Sequence, residues 1–309
     1  MIKEIKLTPF SEYRSVLMGV AIIFIMASHS LGRFALFGNI GVEWFLISSA
    51  IGQFYSLKKN DEIWSFYKRK IIRVLPAYLI VAIPFFLIRY PFSFKDFFVR
   101  LSGLNLVFFW ERTFWFVSLI LICYFLAPFY YQIANRYKTC IVIPFALAAI
   151  TFLLSFHMPR TQILVTRIPI FLLGMNLGKS VYEGDSISGE LNYWLCFVVS
   201  VLAMLLVILV NYIAVGIELY RLVYFFCGIP SFFFILSIVK KIRFLNGALS
   251  FLGSISYEIY LLHESIVLAI CLSFPFPKII NVLISYVVAV SFAFILHTIV
   301  NHIIKPAIK

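Results

Sequence analysis

The residues able to do chemistry stand out because so little else in the chain is charged. The stretch YRSVLMGVAIIFIMASHS, residues 13–30, is apolar over most of its length yet carries Arg14 at one end and His29 at the other. An ionisable group within reach of a bilayer is costly and marks a functional site by default. The alternative for His29 is a hydrogen-bonded packing residue on an apolar helix. A second stretch, GNIGVEWFLISSAIG, places Glu43 near the start of the next apolar run. If the two runs form an antiparallel hairpin, His29 and Glu43 meet, and the carboxylate fixes the ring tautomer and raises its basicity, as general base catalysis requires. A buried polar pair that only fixes helix packing is the other reading. A third stretch, FYKRKIIRVLPAY, sets Arg69 and Arg73 four residues apart on one helical face, a spacing suited to phosphate groups. Arg14 is about 22 Å along an ideal helix from His29, so the two cannot touch. Arg14 is grouped with Arg69 and Arg73 as the inner, phosphate-facing charge. Lys58, Lys59, Lys68 and Lys70 are read as ordinary cytoplasmic loop charge.

These residues need long apolar elements to position them, and the composition supplies them. Of 309 residues, 63% are hydrophobic and 13% charged, against roughly 25% charged in soluble domains. The mean hydropathy of +1.01 points the same way. The expected fold is all-α: a polytopic membrane protein of about ten transmembrane helices in one bundle. The apolar windows fall at 13–31, 38–57, 71–89, 113–133, 139–156, 162–179, 192–214, 219–239, 252–274 and 279–304. Residues 1–309 read as a single integral-membrane domain with no appended soluble domain and no cleavable signal peptide. With the N-terminus inside, sixteen Lys and Arg residues fall on the cytoplasmic side and eight on the other; Arg14 and Arg167 lie within spans. That bias places both termini in the cytoplasm. Five scattered cysteines, with no CxxC pair, read as small core residues, and no metal site is expected. The net charge of +13 sits between apolar runs, which favours anionic headgroups and an anionic substrate over nucleic acid.

Several segments together resemble the membrane-bound acyltransferase family 3, whose members O-acetylate bacterial surface glycans. They are MGVAIIFIMASHS, IGVEWFLISSAIG, FYKRKIIRVLPAYLI, FWFVSLILICYFLAPF, RIPIFLLGMNLG and LSFLGSISYEIYLLHESIV, in family order over most of the chain. The resemblance implies transfer of an acyl group, usually acetyl from acetyl-CoA, to a carbohydrate hydroxyl in the bacterial inner membrane. It places His29 on the family's catalytic histidine and Glu43 on its second-helix acid. Arg69 and Arg73 fall on basic residues that would face the CoA phosphates. Arg167, Tyr257 and His263 fall in motif positions, with His263 open between orienting the acceptor and packing. Trp115 is open between lining the acceptor or acyl pocket and an interfacial belt. Two positions depart from the pattern: Met18 stands where an Arg is common, with Arg14 one turn earlier, and Ala50 stands where Gly is usual. The partners expected are acetyl-CoA as co-substrate, with no tightly bound cofactor, a carbohydrate acceptor, the bilayer, and a second copy of the chain as a candidate. A succinyl or other acyl donor and a non-enzymatic glycan exporter are the competing readings.

Overall fold

A computed structural model of the chain describes residues 5–32, 35–60, 62–158, 160–187, 193–212 and 217–308. Residues 192, 213 and 214 of the 192–214 window lie outside that set; the described part of each window is mainly helical, with short breaks at 166–167 and 255. The main helices are α1 (Arg14–Ser30), α2 (Ala35–Lys59), α3 (Ile63–Arg89), α4 (Phe94–Leu101), α5 (Trp115–Arg136) and α6 (Val142–Ser155). They continue with α7 (Ile168–Glu183), α8 (Tyr193–Tyr212), α9 (Ile217–Lys241), α10 (Asn246–Ser254), α11 (Ser256–Leu262) and α12 (Lys278–Ile308). Apart from one two-residue antiparallel pairing, Ile5–Lys6 with Ser186–Ile187, the described chain is helical or in short connections. Helices suit such a sequence because each satisfies its own backbone hydrogen bonds, which hydrocarbon cannot do for it.

Among the described residues, five helices are long and apolar enough to cross a membrane: Ile63–Arg89, Trp115–Arg136, Gln162–Glu183, Arg221–Lys241 and Lys278–Ile303. The broken pair Arg243–Ser254 and Ser256–Cys271 raises the number to six if it counts as one span. Arg14–Ser30, Val142–Ser155 and Leu195–Leu206 are apolar but shorter, so about ten full-length spans is more than length and composition give among the described residues.

The chain divides into two compact units. The first draws on residues 1–61 and 125–253, the second on 62–124 and 254–309. In the first, glycines set the helix spacing. A Cβ at Gly41 would lie 2.6 Å from the Ala21 carbonyl oxygen, and one at Gly38 would strike Ser28, so α2 packs antiparallel against α1 at close range. A Cβ at Gly174 would lie 2.8 Å from the Ala50 Cβ, and one at Gly178 would lie 2.9 Å from the Phe54 Cβ. These two glycines, a G-x-x-x-G pair on α7, let α7 and α2 approach backbone to backbone. Gly19 and Gly253 do the same for α1 and α10. Ala50 therefore fills a space that Gly174 leaves open.

The second unit centres on α3, with Tyr78, Phe86, Phe114, Leu261 and Val300 in one buried cluster. Its polar atoms are tied to backbone. Tyr257 Oη donates to the Val74 carbonyl (3.1 Å), Tyr78 Oη to the Arg100 carbonyl (2.6 Å), and the Phe116 amide to Tyr260 Oη (2.9 Å). After α11 the helix widens into a π-helical turn, His263–Leu268.

Candidate active site

α2 carries Glu43 to a buried position, 3% exposed, where its neighbours on α7 and α9 are basic. Arg167, 2% exposed, donates through Nε to Glu43 Oε1 at 3.1 Å and through Nη2 to Asn39 Oδ1 at 3.2 Å. Arg221 adds a second positive charge to the field at the same carboxylate. Arg167 is the residue that caps the N-terminus of α7, where the helix dipole disfavours a cation and favours an anion. Glu43 offsets that cost, so one ion pair neutralises a helix end and a buried carboxylate together. On the same stretch of α2, Trp44 Nε1 donates to Ser231 Oγ of α9 at 2.8 Å, and its ring meets Phe24 of α1 edge-on at 4.9 Å.

The residues that align α2 with α7 recur at one sequence separation. Glu43 and Arg167 are 124 apart, and the same separation joins Ala50 to Gly174 and Phe54 to Gly178. The two helices are thus parallel and in register over about three turns.

The sequence sets Glu43 against His29, whereas the structure sets it against Arg167. No hydrogen bond or ion pair joins Glu43 to His29 among the described residues. His29 is the penultimate residue of α1 and its side chain is exposed. Arg14, the first residue of α1, lays its guanidinium against Gly52 of α2, where any side chain would displace it. The absence of a side chain at Gly52 is what gives Arg14 its place.

In the second unit, Arg69 donates through Nη1 to Ser65 one turn earlier, and its Nη2 is buried with no partner among the described residues. Arg73 follows one turn later on the exposed side of α3. The unpartnered Nη2 of Arg69 and the exposed guanidinium of Arg73 suit an anion. Trp115 is buried at the start of α5 with its ring perpendicular to Phe116. Tyr257 is held by Val74, and His263 is buried with Nδ1 2.9 Å from the Tyr260 carbonyl and 3.1 Å from that of Ile259.

Two further polar groups went unread in the sequence. Asn39 and Arg221 complete the surroundings of the Glu43–Arg167 pair. Glu258 of α11 lies 2.8 Å from His297 Nδ1 of α12, an acid–imidazole pair of the kind expected at His29. Each was legible as a lone polar or charged residue in or beside an apolar run, but none has a sequence neighbour that announces its partner.

These features define a helical protein of membrane-spanning character with a buried ion pair at the junction of α2, α7 and α9. A family model described as an acyltransferase domain matches residues 16–299, nearly the whole chain. The chain belongs to acyltransferase family 3, and its activity is that of a membrane acyltransferase. Comparison with curated proteins and with solved structures returns no significant match.

Proposed function

We propose that the chain is an O-acetyltransferase of the bacterial cytoplasmic membrane that moves acetyl from acetyl-CoA to a hydroxyl of a cell-surface or exported polysaccharide. The observation that carries this reading is the family match over 16–299, which includes His29 on an exposed helix end. His29 takes the proton of the acceptor hydroxyl as the oxygen attacks the thioester carbonyl. The new C–O bond forms, the C–S bond breaks, and the proton passes to the departing CoA thiolate. Arg14, Arg69 and Arg73 bind the CoA phosphates, a role supported by the uncommitted donor of Arg69. Glu43 serves as a positioning residue: it neutralises Arg167 and so holds α2, the helix packed against α1.

The test is transfer from radiolabelled acetyl-CoA to an added polysaccharide by the purified, reconstituted chain. A general base contributes about 10² to 10⁴ in rate, and His29→Ala should lose that factor while folding normally. Wild-type transfer by that variant would remove His29 from the mechanism. Faster consumption of succinyl-CoA than of acetyl-CoA would reassign the donor, and glycan movement without thioester consumption would favour an exporter.

A further inference from the structure

The second unit contains a groove that the acyl-transfer reading does not use. Its volume is about 560 Å³, within the range of ligand pockets of roughly 300–1,000 Å³. One wall is the outer end of α3, from Ile80 to Arg89, about 13 Å of helix at 1.5 Å per residue. The facing wall is α12, through Phe292 and Ile295, and the floor is Leu262 and Ile266 at the π-helical turn. Pro84, midway along the first wall, has no N–H to give the Ile80 carbonyl, so the helix lacks one backbone hydrogen bond where the groove is formed. The lining is hydrocarbon with one exception. Arg89, the last residue of α3, stands at the end of the groove, exposed and with no hydrogen-bond or ion-pair partner among the described residues.

Both walls belong to helices long and apolar enough to cross a bilayer, and the cation is at the terminus of one of them. Hydrocarbon lining that ends in a lone guanidinium at a helix end matches a molecule with an apolar tail and an anionic head. A single uncommitted guanidinium balances the single charge of a phosphodiester; a diphosphate would leave a charge unpaired. We infer that this groove binds a glycerophospholipid of the surrounding bilayer, one acyl chain along α3 and α12 and its phosphodiester on Arg89. The site does not depend on the acyl-transfer chemistry.

Native mass spectrometry of the purified full chain, equilibrated with phosphatidylglycerol or with diacylglycerol of the same chains, tests the assignment. The wild type retains phosphatidylglycerol about tenfold better than diacylglycerol, as expected for one charge-assisted phosphate contact. Arg89→Gln abolishes that preference and Arg89→Lys keeps most of it. Ile295→Trp, which fills the groove from a half-exposed position, lowers retention of both lipids. Equal phosphatidylglycerol retention by the wild type and Arg89→Gln overturns the assignment, as does loss of lipid from all forms alike, the behaviour of a boundary lipid. Displacement of phosphatidylglycerol by an equimolar polyprenyl phosphate would overturn it in favour of a lipid-carrier site. Arg89 is exposed and makes no hydrogen bond or ion pair among the described residues, so its variants decide the question even if Ile295→Trp misfolds.

Discussion

Replacing Arg167 by methionine should be among the most damaging single changes in the first unit. The guanidinium is 2% exposed, and its removal leaves the Glu43 carboxylate, 3% exposed, without the partner 3.1 Å away. Breaking a buried pair from one side costs about 3–5 kcal/mol, because the surviving charge remains out of water. Arg221 still lies in the field of Glu43, which places the expected loss near the lower end, about 3 kcal/mol. The lost hydrogen bond to Asn39 adds about 1 kcal/mol. The double variant Glu43→Gln/Arg167→Met removes the stranded charge and should regain about half of the loss, a coupling within the ~0.5–3 kcal/mol seen for contacting residues. Unfolding of the purified protein in mixed detergent and dodecyl sulfate micelles, followed by tryptophan fluorescence, measures all three forms. If the double variant is no more stable than Arg167→Met, the penalty is not a stranded charge and the account of this pair fails.

Other perturbations read different parts of the structure. Gly178→Val pushes a branched side chain into the Phe54 and Ile51 positions of α2, at 2.9 and 3.1 Å already for its Cβ. It should cost about 1–3 kcal/mol, seen as a lower thermal midpoint in detergent; an unchanged midpoint would show that α2 and α7 are looser than described. Arg100 makes a fork to Glu111, with Nη2 to Oε1 at 2.6 Å and Nε to Oε1 at 2.9 Å, and lies over the rings of Tyr90 and Phe109 at 4.2 and 4.4 Å. Arg100→Ala should loosen the segment between α3 and α5 by about 1–3 kcal/mol, read as faster amide exchange over residues 90–113. Hydrogen bonding to Glu111 holds the Arg100 pKa above its ordinary value. A raised cation pKa gives stability that is lost only as pH rises through that value, so protection of this segment should be flat from about pH 7 to 10. A fall within that window would show that a different group holds the segment.

The helical class was legible, because hydrocarbon-compatible residues recur in long stretches and only helices satisfy such backbones alone. Helix lengths were not: hydropathy merges Gln162–Val165 with α7 across Thr166–Arg167 and passes over the break at Ile255, since each interruption is only one or two residues long. At the site, the rule that buried charge needs a partner pointed to Glu43, His29 and Arg167 individually. Which of them pair was hidden, because Glu43 and Arg167 are 124 residues apart and adjacency in a hairpin favoured the nearer histidine. The glycines at 174 and 178 held the missing information: they state which face of α7 another helix must touch, though not which helix that is.

The parallel register of α2 with α7 also constrains how the chain threads a bilayer. Two parallel spanning helices must have an odd number of crossings between them. α2 is outside the set of helices with spanning length and apolarity, whereas α3 and α5 are within it; if α2 crosses as α7 does, a third crossing falls to the segment containing α6. Its fourteen helical residues rise about 21 Å, and the four-residue 3₁₀ turn that leads into it, Lys138–Ile141, adds about 8 Å. Together they reach about 29 Å, close to the ~30 Å hydrocarbon thickness. A cysteine pair placed at the two ends of that segment would label from opposite faces of the membrane.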